Sequence, residues 1–320
     1  MTRTYAIGDP QGPFAKVLEV LDRHGLLAGD RLAGDVVLVS IGDHFDYDHR
    51  DPDGCAREGL SLLRWLASHD PAQVHLLLGN HDAARVMELA AIDDAEFALA
   101  RTCDDATYAA RFAHLPPQHV LVRDYASFTV EQRELVAELL RAGRFHLALV
   151  AELGGRTALL THAGVTSREL ALLDVQGDAH AIAGALELQL RTAVARGLAP
   201  LSLAPLHRAG ANGEEGDGLL YHRPSARAQP RRFDPRTLPE GLLQIAGHSG
   251  HAKCVHELGG WCTARATARA HGGIRTLTRT GAAITYDLGV DPAGSLVLID
   301  GELRRVPAAE VELLRLARVY

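Results

Sequence analysis

Five short stretches of this sequence carry side chains able to hold a cation: Gly8-Asp9-Pro10-Gln11-Gly12, Gly42-Asp43-His44-Phe45-Asp46, Gly79-Asn80-His81-Asp82, Thr161-His162-Ala163-Gly164 and Gly247-His248-Ser249-Gly250-His251. Asp9 and Asp43 offer carboxylates, Asn80 an amide carbonyl, and His162 and His248 imidazoles. This mixed oxygen and nitrogen set suits manganese, iron or zinc better than an all-oxygen calcium site. Each stretch follows an apolar run and contains a glycine beside the polar residue. In open α/β sheets, ligands collect outside the carboxyl ends of strands, where glycine lets the backbone turn close to them. Scattered along the chain, these residues can meet only through the fold.

The elements that must bring them together are legible as apolar runs. Thr4–Gly8, Asp35–Ile41 and Val74–Leu78 are expected to be strands, each followed by an amphipathic stretch: 13–24, 54–68 and 81–90. The segment 93–115 reads as helical up to Pro116-Pro117, and 129–141 as a further helix. Residues 145–161 suggest a hairpin around Gly154-Gly155, and 178–196 a long helix. Residues 209–240, rich in Gly, Pro and Arg, read as a long loop of the kind that is usually functional. Strands are expected again at 242–246, 282–286, 295–299 and 302–306, and a closing helix at 308–318. The pattern is α/β, and because the ligand types span the chain we read residues 1–320 as one domain, with a helical insertion at about 93–142 and a loop at about 209–240.

Composition narrows the function. The 320 residues are 47% hydrophobic and 23% charged, as expected of a globular chain able to bury a sizeable core. A formal net charge of −7 disfavours nucleic-acid polymers and anionic membranes as partners. No apolar run reaches the roughly 20 residues that span a bilayer, and the first residues lack a secretory signal core, so a cytoplasmic location is expected. Cys55, Cys103, Cys254 and Cys262 form no CxxC pair, which suits a reducing compartment. Seventeen histidines is about twice the number expected at this length, and imidazole is a frequent metal ligand.

Taken together, "GDPQG", "GDHFDYD", "GNHD", "THAG" and "GHSGH" resemble, in order and spacing, the calcineurin-like metallophosphoesterase superfamily, whose pattern is DxH, GDxxDR, GNH(D/E), a His-bearing strand end and GH. "GNHD", "HAG" and "YHRP" before the final "GH" look most like bacterial PPP-type phosphatases and symmetrical diadenosine-tetraphosphatases. The resemblance implies a four-layer αββα sandwich with two divalent metal ions, manganese first and iron or zinc as alternatives, at the carboxyl ends of strands. It implies Asp9 on the first metal, Asp43 bridging, and Asn80, His162 and His248 on the second. It further implies His81 as the general acid, oriented by Asp46, and in-line attack on phosphorus by a metal-bound hydroxide. A phosphorylated protein or small molecule is the substrate class implied.

Two departures from the pattern stand out. The arginine after the second aspartate of GDxxDR is Tyr47, leaving Arg223 of "YHRP" or Arg85 of "GNHDAAR" to clamp phosphate. The histidine of DxH is Gln11, so either Gln11 itself, a weaker neutral donor, or His251 in the GHxxH spacing completes the first metal site, or that site is depleted. A PPP-like phosphatase is the leading reading. A nucleotide or diadenosine-polyphosphate hydrolase, a cyclic-nucleotide diesterase, and a non-catalytic metal- or phospho-ligand-binding protein are the alternatives. A serine-hydrolase elbow at Ser249 leaves "GNHD" and "GDHFD" unexplained, and His251, Cys254, His256 and Cys262 match no common zinc spacing.

Overall fold

The computed structural model describes residues 2–176, 178–227, 229–291 and 293–320. Two sheets form its centre. Their strands are, in chain order, β1 (Arg3–Ile7), β2 (Val36–Ser40), β3 (Val74–Leu77), β4 (Phe145–His146), β5 (Ala148–Leu153), β6 (Arg156–Thr161), β7 (Leu243–Ala246), β8 (Arg275–Thr280), β9 (Ala283–Leu288), β10 (Leu296–Leu298), β11 (Leu314–Leu316) and β12 (Arg318–Val319). The first sheet has the order β11-β1-β2-β3-β4 and the second β9-β8-β10-β7-β6-β5-β12. β1 to β4 run parallel, with antiparallel β11 closing the edge. In the second sheet β6, β7 and β10 run parallel and the flanking strands antiparallel.

The sheets pack face to face through Ala6, Val39, Ile41 and Leu77 on one side and Leu160, Ile245, Val297 and Ile299 on the other, all buried. Strands covered on both faces need nearly continuous apolar sequence, and β2, Val-Val-Leu-Val-Ser, supplies it. Helices cover the outer faces. Phe14–Arg23 buries Val17, Val20 and Leu21 at helical spacing. Pro52–Ala67 begins on Asp51, whose carboxylate accepts from Gly54 N at 3.0 Å. Across the second sheet, Ala179–Arg196 presents Ile182, Leu186 and Leu190. The result is the helix, sheet, sheet, helix layering of a mixed α/β fold.

The region about 93–142 is helical, with helices Asp94–Thr102, Asp105–Arg111, Gln118–Arg123 and Val130–Arg141 around their own apolar cluster. The region 209–240 is mostly irregular, with short strand pairs such as Arg223–Pro224 against Arg232–Phe233; Ala228 lies outside the described residues. The C-terminal reading needs correction. Residues 302–306 form no strand, and 308–318 hold a short turn at Ala308–Glu310 followed by β11 and the start of β12. Helix-favouring composition there yields to tertiary pairing: Leu314 and Leu316 alternate inward and pair with Ala6 and Thr4. The helix expected at 81–90 is short, Asn80–Ala84. Strand β8 and helix His251–Leu258 were not expected. No helix among the described residues is long and apolar enough to cross a membrane.

Candidate metal centre

Strand register aligns the polar stretches. Ile7 lies opposite Ser40, and Ser40 opposite Leu76, so Asp9, Asp43 and Asn80 leave the first sheet at one level. In the second sheet Ile245 pairs with Leu160 and Ala246 with Leu298, which brings His162, His248 and Asp300 to the same end. The chain turns there under strain: Asp9, Asp43, Asp46 and His248 all have positive φ, at 30°, 59°, 64° and 60°. Close approach fixes glycine at neighbouring positions. A Cβ on Gly79 would fall 2.2 Å from Asp43 N, and one on Gly247 would fall 2.1 Å from Asp9 Oδ1.

Asp43, His162 and His248 form a buried cluster whose potential ligand atoms all lie within 4.8 Å of one another. His162 Nδ1 donates to the Ile41 carbonyl at 2.8 Å, leaving Nε2 to face the cluster. Nε2 lies 3.1 Å from Asn80 Oδ1, 3.2 Å from His248 Nδ1 and 3.5 Å from Asp43 Oδ2. Such a convergence of acceptor atoms calls for a positive charge at its centre. Burial works against it, yet the Asp43 charge and hydrogen bond, then Asp9, raise the His162 pKa to about 9. Burial, then the charges of Arg223 and His162, keep His248 neutral, the state a ligand requires. For Asp43, burial is outweighed by His162 and His81, which hold the carboxyl well below its usual range. Asp9 goes the other way: burial, then the nearby Asp300 charge, push it well above the usual range. A cation relieves that excess of negative charge, so the residues present fit a divalent metal.

His81 stands beside this cluster at 16% side-chain exposure. Its backbone N–H donates to Asp43 Oδ1 at 2.9 Å, its Nδ1 meets Asp46 Oδ2 at 3.0 Å, and its Nε2 lies 4.0 Å from Asp43 Oδ2. Burial opposes protonation, but the charges of Asp43 and Asp46 prevail and raise the His81 pKa. Asp46 is itself fixed by Ser127, whose N–H and hydroxyl donate to Oδ1 at 3.0 and 2.7 Å. Asp82, fully buried, accepts from Gly79 N, Asp43 N and His44 N at 3.0, 2.9 and 3.1 Å, tying two strand ends together.

Asp9, Gln11, Asp43, Asn80, His81 and His248 line one cavity of about 600 Å³, together with Arg223, Lys253 and Asp300. The buried amide nitrogen of Gln11 has no hydrogen-bond partner there. Two sequence candidates lie elsewhere. His251 is buried between Tyr286 Oη at 3.0 Å and the Ala266 carbonyl at 3.1 Å, on the buried face of the helix His251–Leu258, and is not among the residues lining the cavity. Both ring nitrogens are thus engaged away from Asp9 and Gln11, and the structure does not bring His251 to them. Arg85 is also buried, below the site: it contacts Asp46, donates to the His81 carbonyl at 2.8 Å and to Gln132 Oε1, and lies over the Phe45 ring. It supports His81 from behind and does not face a phosphate.

Ser127 and Lys253 carried no sequence signal, and the capping box Thr129-Val130-Glu131-Gln132 marks Gln132 only as a helix start, not as a partner of Arg85. Asp300 did carry one, an apolar strand ending in a carboxylate at "LVLID", of the same kind as the stretches recognised.

The family model for calcineurin-like phosphoesterases matches residues 2–189, more than half of the chain, and the chain belongs to that family. Similar solved structures include a cold-active protein-tyrosine phosphatase of a psychrophile Shewanella species, 15% identical with a TM-score of 0.47, covering 98% of this chain and 75% of that one. A protein serine/threonine phosphatase from Saccharomyces cerevisiae with similarity to human phosphatase PP5 is 13% identical with a TM-score of 0.45, covering 93% and 67%. No curated protein matches the sequence.

Proposed function

We propose that this chain hydrolyses phosphoesters with the help of two divalent metal ions, as a PPP-like phosphatase. The observation that carries the reading is the convergence on His162 Nε2 of Asn80, His248 and Asp43, with His81 and its carboxylate partner alongside. Asp9, Gln11 and Asp43 would hold the first ion, and Asp43, Asn80, His162 and His248 the second. The ions would supply Lewis acidity and an activated water for in-line displacement at phosphorus. His81 would give its proton to the leaving oxygen, with Asp46 keeping the ring turned and protonated. Arg223 would bind phosphate oxygens. No phosphoenzyme is required.

The competing reading, a non-catalytic phospho-ligand or metal binder, draws on the neutral Gln11. The buried support beneath His81 weighs against it, because a binder has no need of an oriented proton donor. Purified protein assayed for manganese, iron and zinc, then for turnover of p-nitrophenyl phosphate and its bis-ester with added manganese, tests the proposal. Metal-stimulated turnover is expected. Fewer than one tightly bound ion per chain and no stimulation would sink the enzyme reading.

A further inference from the structure

The cations lining the cavity divide into those already occupied and those that are not. Arg123 is paired with Asp124 at 2.6 Å, Arg232 with Glu257 at 3.0 Å and Arg305 with Glu302 at 3.2 Å. Arg231 pairs with Glu215, and Arg304 donates to the Tyr47 carbonyl at 3.0 Å. Among the described residues, the Arg223 and Lys253 side chains have no hydrogen-bond or ion-pair partner, and the Arg223 Nε is withdrawn from solvent as well. Arg223 lies on the short strand Arg223–Pro224, against which the helix His251–Leu258 packs, and Lys253 is in the first turn of that helix. Both side chains line the cavity, and the charge of Arg223 is the first cause lowering the Lys253 pKa, opposed in part by Asp300 and Asp124. Across the cavity the Asp43 and Asp9 charges act on Arg223, yet neither bonds to it. The carboxylate cluster and the two cations line the same cavity of about 600 Å³.

We propose that Lys253 is a second phosphate-binding residue, acting with Arg223 on the non-bridging oxygens of a phosphate group whose other side faces the metal centre. The proposal rests on the phosphoesterase reading. A planar guanidinium supplies directed donors to adjacent oxygens, and the ammonium supplies a mobile point charge. An oxyanion placed between them removes their mutual repulsion and satisfies the buried Arg223 Nε. No other pair of cavity cations is free to do so among the described residues.

Calorimetric titration of inorganic phosphate into the manganese-loaded protein tests this, with wild type, Lys253→Ala, Lys253→Arg and Lys253→Glu compared at equal metal content. Lys253 is on the surface of its helix, so these variants should fold. Lys253→Ala is expected to weaken phosphate binding about tenfold and to raise KM for p-nitrophenyl phosphate more than it lowers kcat. Lys253→Arg should restore most of the affinity, and Lys253→Glu should weaken binding beyond alanine. An unchanged phosphate affinity in Lys253→Ala overturns the assignment while leaving the phosphoesterase reading intact. A wild-type protein that holds metal but binds no phosphate overturns both.

Discussion

Arg85 Nη1 lies 2.6 Å from Asp46 Oδ2, and both side chains are withdrawn from solvent. The pair sits directly beneath His81, so a residue that sequence alone offered as a phosphate clamp instead fixes the carboxylate that orients the imidazole. Breaking a buried ion pair by removing one charge leaves the other uncompensated.

Asp46→Asn should therefore cost about 3 kcal/mol in unfolding free energy at pH 7. Burial alone would raise the Asp46 carboxyl, but Arg85, followed by His81, holds it well below the usual carboxylate range. A depressed folded-state pKa contributes stability that is complete above the unfolded value near about 4 and is lost as pH falls toward the folded value. Urea midpoints of wild type and variant should differ by a constant amount from neutral pH to pH 5, and converge at lower pH. A gap that does not narrow in acid would contradict the ion-pair assignment.

His81→Ala should lower kcat by about 100-fold or more with metal content unchanged, as expected when a proton donor is lost. The alkaline limb of the wild-type rate profile should lie above the ordinary histidine range, because Asp43 and Asp46 stabilise the imidazolium. In Asp46→Asn that limb should move to lower pH. Equal activity in His81→Ala would remove it from the mechanism.

Gln11→His should tighten binding at the first metal position, since imidazole is a stronger donor than a neutral amide for manganese, iron or zinc. His251→Ala should leave metal binding as it is and cost about 1–3 kcal/mol of stability through its lost bonds to Tyr286 and Ala266. Metal titrations and denaturation of the two variants separate these effects. Loss of metal in His251→Ala would return that residue to the ligand set.

Gly247→Ala should displace the Asp9 carboxylate, because the added methyl would fall 2.1 Å from Oδ1. The expected loss in metal affinity is of order 10- to 100-fold, the range that follows when a ligand's supporting contacts are disturbed. Unchanged affinity would mean that Asp9 tolerates a different position.

Much of this site was legible because its residues follow apolar strands and lie beside glycine, a local pattern that survives without the fold. Asp9, Gln11, Asp43, Asn80, His81, His162 and His248 carry that mark, and the fold brings them to one end of the two sheets. His251 and Arg85 were misplaced because one residue of helix phase decides whether a side chain faces the cavity or the core. Lys253 and Ser127 depend on contacts distant in sequence and had no local mark. The same limit explains the C-terminus, where 308–318 reads as helix and Leu314 and Leu316 form a strand only because β1 offers an open edge.

Calorimetric titration of manganese into metal-free wild type and His248→Ala tests the metal centre most directly. Wild type should bind two ions per chain, and His248→Ala should retain the folded structure by circular dichroism and lose the tighter of the two. Fewer than one tightly bound ion in wild type, or identical isotherms for the two proteins, would contradict a metal centre built from Asp43, Asn80, His162 and His248.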